Sequence, residues 1–103
     1  RNMMPTMQLV YWRDIPAQRK GREGRKRSSL PLEERFEKAI DAAAMRGGAD
    51  STDDYLADFW TSEPIDVEGD LATAMADKVA ELQAAFNSET LRSYIANAGR
   101  KPA

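Results

Sequence analysis

Seven basic side chains in fifteen residues, Arg13 to Arg27 (RDIPAQRKGREGRKR), are the densest set of groups in this chain that could do chemistry. They are Arg13, Arg19, Lys20, Arg22, Arg25, Lys26 and Arg27, set against Asp14 and Glu23 alone. Cations at this spacing bind anions, and Gly21 and Gly24 let backbone N–H groups approach a phosphate or carboxylate, as in arginine-rich nucleic-acid segments. The stretch holds no aromatic on which a base could stack, and the chain as a whole is acidic. Three readings stay open: a solvated flexible loop, a contact for an acidic protein surface, and a nucleic-acid contact. Trp12 and Trp60 join the candidates. They belong to a group of five aromatics, Tyr11, Trp12, Tyr55, Phe59 and Trp60, and Trp and Tyr anchor interfaces as well as filling cores.

Charge is polarised along the 103 residues. Residues 1–30 carry eight Lys/Arg against two Asp/Glu, net +6, residues 31–99 carry five against fifteen, net −10, and the last four add +2. This asymmetry suggests a contact surface for something anionic at one end of the molecule. The chain contains neither cysteine nor histidine. That removes disulfides, thiolate zinc and iron–sulfur ligation, a cysteine nucleophile and the commonest general base. Glu63, Asp66, Glu68 and Asp70 lack the alternate spacing and terminal bidentate Glu of a calcium loop. Glu33 with Glu37, and Asp54 with Asp58, fall one helical turn apart on faces expected to be exposed, where nothing splits their pKa values into acid and base. GREG and RGG do not fit a dinucleotide or P-loop fingerprint. No catalytic residue, metal or cofactor is expected.

The elements that must carry these residues are short. Met7 to Trp12 (MQLVYW) reads as a strand covered on both faces, with Met7, Leu9 and Tyr11 on one side and Gln8, Val10 and Trp12 on the other. No apolar residue lies between Ala17 and Leu30, so a mobile basic loop is expected at about 17–29. Helix signals follow at about Pro31 to Met45, with Leu32, Phe36 and Ile40 on one stripe, Ser29 and Pro31 at the start and Gly47–Gly48 as a stop. Ser51 and Asp54 resemble a capping box for a short helix from Thr52 to Trp60. Pro64 to Glu68 suits an edge strand with Ile65 and Val67 inward, pairing with Met7 to Trp12. Asp70 caps a helix whose stripe, Leu71, Met75, Val79, Leu82 and Phe86, forms the wall facing Leu32, Phe36 and Ile40. Ser88 opens a last helix with Leu91, Tyr94 and Ile95, closed by Gly99, and the terminal residues read as a frayed tail. The fold class expected is α+β: one domain with a small two-stranded sheet packed with about four helices.

MPTMQLVYWRDIPAQ, LEERFEKAIDAAAMRGG, TDDYLADFW and the VEGD turn together resemble the small bacterial "virulence factor" family, a domain that also occurs attached to larger proteins. The match is most specific in YWRDIPAQ and AIDAAAMR and implies no catalytic residues. Free-standing members are often encoded with folate-linked one-carbon enzymes such as methylenetetrahydrofolate reductase, so the resemblance implies an accessory subunit of such an enzyme. The sequence reading is therefore a non-enzymatic interaction subunit that docks on a larger enzyme, with a nucleic-acid-associated protein as one alternative and a small enzyme using Tyr, Lys or carboxylates as another. The absence of cysteine favours a reducing, cytoplasmic location, and no segment suggests a membrane span. Met3 and Met4 suggest a natural start downstream of Arg1 and Asn2.

Overall fold

A computed structural model describes residues 4–49 and 51–103; the start suggested at Met3 lies outside the described residues. The element order is β1 (Thr6–Trp12), β2 (Ile15–Glu23), β3 (Lys26–Pro31), α1 (Glu34–Arg46), α2 (Thr52–Ala57), β4 (Phe59–Thr61), β5 (Ile65–Asp66), α3 (Leu71–Ala85) and α4 (Ser88–Ala96). The class is α+β, but the sheet has five antiparallel strands, not two.

Strand β1 is central because its apolar residues are buried on both sides: Met7 and Leu9 on one, Val10 and Trp12 on the other. One edge of β1 pairs along its whole length with β2, through a bulge at Val10/Tyr11. The other edge is shared by β4, opposite Val10–Trp12, and β5, opposite Thr6–Met7. The extra strands arise from residues read as something else. The basic stretch, expected as a mobile loop, forms the β2–β3 hairpin, in register from Gln18↔Pro31 to Glu23↔Lys26. Its residues show no apolar alternation because β3 is an edge strand with five of six residues exposed. Phe59 and Trp60, read as the end of the second helix, instead belong to β4, which breaks away after Asp58 to pair with β1.

Helix α3 lies over β2 and β3. Gly21 makes that approach possible: a β-carbon built there would sit 2.4 Å from Met75 Sδ and 3.1 Å from Leu71 Cδ2. The expected α3 wall is divided between two clusters. Val79, Leu82 and Phe86 pack with Leu32, Phe36 and Ile40, while Leu71 and Met75 pack with Met7 and Val67. Ile65, expected inward, is about half exposed, and Val67 alone of that segment is buried.

Helix α1 starts at Glu34 because Leu32 still donates its backbone N–H to Ala17 O, and Glu33, not Ser29, is the N-cap. Its Arg35 Nη2 donates to Gln83 O at 2.7 Å and Nη1 to Phe86 O, placing a cation on the last carbonyls of α3. Ser51 Oγ accepts from Asp54 N, and Asn87, rather than Ser88, caps α4. The terminal residues are tied down: Lys101 N donates to Asp14 Oδ2 at 2.7 Å.

Two stability predictions follow from this packing. Phe36 is 1% exposed and meets Phe86 edge to face at 6.1 Å. Phe36→Ala is expected to cost about 3–5 kcal/mol in denaturant unfolding, and an unchanged midpoint contradicts this core. Hydrogen bonds from the Thr73 hydroxyl and then the Thr73 N–H hold the Asp70 carboxyl below its usual pKa. A lowered folded-state pKa gives stability at neutral pH that is lost as pH falls through that value. The advantage of the native protein over Asp70→Asn, whose amide still caps, is expected to shrink below about pH 4. A constant difference from pH 7 downward contradicts it.

Candidate functional site

In the β2–β3 hairpin successive side chains alternate between two faces. Gly21 faces Met75 of α3, so Lys20 and Arg22 point the other way, and the cross-strand register sets Arg27 directly opposite Arg22 and Ser29 opposite Lys20. On β1, Thr6 pairs with Arg22 and Gln8 with Lys20. Two rows result, Thr6–Arg22–Arg27 and Gln8–Lys20–Ser29. Thr6, Gln8, Lys20, Arg22 and Arg27 line a shallow cavity of about 250 Å³. Lys20, Arg22 and Arg27 are exposed, and none takes part in an ion pair among the described residues. Like charges directly opposite on a sheet repel. Arg25 and Lys26 extend this positive surface around the exposed tip, beyond the last pair with β1.

The other four candidate residues lie elsewhere. Arg19 is on the α3 face, between Leu9 and Leu30 in the register, and is only 5% exposed. Its Nε has no hydrogen-bond partner, and it forms no ion pair among the described residues. Burial lowers its pKa from the usual arginine value, and Tyr11 and Glu81 only partly offset that. Trp12 is fully buried, with Nε1 donating to Tyr55 O at 2.8 Å, so it presents no surface to a partner.

Arg13 sits at the β1–β2 turn with a left-handed backbone, φ 51°. Its Nε meets Asp58 Oδ2 at 2.9 Å, its Nη1 donates to Ala98 O at 2.8 Å, and its guanidinium lies 4.6 Å from the centroid of the Trp12 ring. A β-carbon at Gly47 would approach Arg13 Nη1 to 2.7 Å. Arg13 therefore joins the C-terminal ends of α1, α2 and α4, where the helix dipoles favour a cation. It is committed to the fold, not free for a ligand.

Trp60 is 47% exposed, stacks on Tyr11 at 4.5 Å and donates Nε1 to the Arg13 carbonyl at 2.6 Å. Trp60 is opposite Tyr11 and Ile65 opposite Met7, so both belong to the α3 side of β1. The aromatic patch and the cations of the open hairpin face are on different sides of the sheet.

Among the described residues, no three His, Cys, Asp or Glu side chains cluster closely enough to hold a metal ion. Burial, and then Asp41, raises the pKa of Tyr55, whose hydroxyl donates to Asp41 Oδ1 at 3.2 Å. Burial likewise raises the pKa of Tyr94. Both phenols are therefore held protonated at neutral pH.

The hairpin cations were legible by type, but Arg19 was not separable from them by sequence. Its odd-numbered position, shared with Gly21, is the only signal. Arg19→Met, which replaces an unpaired buried cation with an apolar chain of similar length, is expected to leave the unfolding midpoint unchanged or raise it. A loss of more than about 1 kcal/mol would show that Arg19 holds the sheet and α3 together.

No curated protein and no solved structure matches the chain. The model of one family, described as "Virulence factor", matches residues 10–95, which include the whole β2–β3 hairpin, Arg13, helices α1 to α3 and all of α4 except Ala96. The chain belongs to the virulence factor family.

Proposed function

We propose that this chain is a non-enzymatic accessory subunit that docks on an acidic surface of a larger protein through the open face and tip of the β2–β3 hairpin. The observation that carries the reading is the register: Lys20, Arg22 and Arg27 share one exposed face, with two arginines directly opposed and no ion pair among the described residues to neutralise them. A preformed strand pair holds its cations in place before contact, which lowers the ordering cost of association. The polarity of the chain, net +6 over residues 1–30 and −10 over 31–99, suits steering toward an acidic partner. The partner implied by the family resemblance is a folate-linked one-carbon enzyme such as methylenetetrahydrofolate reductase. A chain that builds its core without cysteine fits a reducing compartment, and we assign it to the cytoplasm. No helix among the described residues is long and apolar enough to cross a membrane.

Arg13, Arg19 and Trp12 take no part in this contact. Nucleic acid is the less favoured ligand because no aromatic side chain lies in either row of the open face.

The test measures binding to the one-carbon enzyme of the same host at several salt concentrations, for the native chain and for a variant with Lys20, Arg22, Arg25, Lys26 and Arg27 replaced by Ser. The native affinity is expected to fall as salt rises, because exposed charges are screened over about 8 Å at physiological ionic strength. The variant is expected to bind about tenfold or more weakly, with an unfolding midpoint unchanged or raised because the opposed arginines are gone. A folded variant that binds as tightly as the native chain contradicts the docking surface. Micromolar binding of duplex or single-stranded nucleic acid with a steep salt slope, absent from the variant, replaces this reading with the nucleic-acid one.

A further inference from the structure

We propose that the open hairpin face contains a specific oxyanion site, formed by Lys20, Arg22 and Arg27, that takes a tetrahedral dianion of the phosphate class. The inference deepens the docking reading, because it uses part of the same surface, and it names the group recognised there.

The argument starts from the strand register. Arg22 and Arg27 are directly opposite across neighbouring strands, so their β-carbons are about 5 Å apart, and Lys20 is one pleat repeat along β2 on the same face, about 7 Å from Arg22. Three positive charges thus converge on a cavity of about 250 Å³, with Thr6 supplying a hydroxyl beside Arg22. Gln8 is the cavity's amide, and its Nε2 already donates to Ser62 O. No carboxylate stands in the six-residue grid. The nearest acidic residues in the register are Glu23, opposite Lys26 and next to Arg22 but turned to the other face of the hairpin, and Asp66, opposite Thr6 on β5; neither forms an ion pair among the described residues.

Arg22 is also oriented in advance. Its Nε donates to Gly24 O at 2.9 Å, which fixes the guanidinium plane against the turn and leaves the terminal nitrogens for a ligand. A carboxylate, with one charge and two oxygens, engages one guanidinium fork at a time. A phosphate dianion has the charge and the number of oxygens to contact Arg22, Arg27 and Lys20 together. It also offsets the repulsion of the opposed arginines, with which no carboxylate of the described residues forms an ion pair.

The test uses the full isolated chain, so that its outcome is separate from that of partner docking. Backbone amide shifts of Thr6, Gln8 and residues 20–28 are followed by NMR during titration with inorganic phosphate at about pH 8, where the dianion dominates, and with phosphoserine, both against acetate at matched ionic strength. The expected result is saturable, localised shifts with phosphate or phosphoserine, at least about tenfold weaker with acetate. A stronger response to phosphoserine identifies a phosphomonoester as the ligand, and an equal response identifies the phosphate group alone. Arg22→Ser/Arg27→Ser is expected to abolish saturation while the remaining amide spectrum stays native. Should that variant unfold, Arg27→Ser alone serves, since Arg27 is an exposed edge-strand residue. Shifts of equal size with acetate, or saturation retained in a folded Arg27→Ser variant, overturn the proposal. Docking that survives with no phosphate binding removes this inference and leaves the accessory-subunit reading. Phosphate binding without docking does the reverse.

Discussion

The structure depends on what Arg13 does at the turn between β1 and β2. Its left-handed backbone sends β2 back along β1, its N–H donates to Asp58 O, and its carbonyl receives Trp60 Nε1. The side chain then spans from Asp58 at the end of α2 to Ala98 at the end of α4, beside Gly47 at the end of α1. A non-glycine residue in this conformation costs about 1–2 kcal/mol, which this set of contacts offsets. Asp14 extends the same junction, donating its N–H to Gly99 O and accepting from Lys101 N. With the helix ends gathered at one end of β1, the hairpin is left to run out at the other, and its cations are separated from most of the acidic body.

That separation decides how each basic residue behaves. Lys20 and Arg22 alternate with Arg19 and Gly21, so adjacent residues have opposite fates: the even positions meet solvent, and the odd ones lie under α3. The close approach of Met75 at Gly21 seals the α3 side of the hairpin. Arg19 is caught beneath it with an unpartnered Nε, a cost the fold tolerates where apolar neighbours on β1 and β3 supply packing for its aliphatic stem. Preformed geometry distinguishes this surface from a flexible basic tail. Its like-charged residues are opposed by backbone register rather than free to move apart.

Much of the fold was legible in the sequence because apolar spacing reports burial. The α1 stripe, the α3 helix with its Asp70 cap, the central strand and its pairing with Ile65–Asp66 all follow from that signal. The hairpin was not legible, because an edge strand of Lys, Arg, Gly and Ser pairs through its backbone and needs no apolar alternation. Trp60 changed element for a related reason: Tyr55, Leu56, Phe59 and Trp60 fit a helical period, yet Asp58 ends the helix and the free edge of β1 takes the two aromatics that follow. Of the candidate site, residue type identified the positive surface. Only the register separated the exposed cations from Arg13 and Arg19, whose charges are used or enclosed within the fold.

The central claim is that the basic stretch is an ordered strand pair in the free protein, with its cations held in register before any partner arrives. Native-state amide hydrogen exchange on the isolated chain tests it most directly. Successive amides along Gln18–Arg22, which pair in turn with β1 and β3, and alternate amides of the edge strand over Lys26–Leu30 are expected to be protected, with the Gly24–Arg25 tip exchanging fast. Uniformly fast exchange from residue 18 to residue 29, beside a protected β1, would contradict it and return the stretch to a flexible loop that orders only on contact.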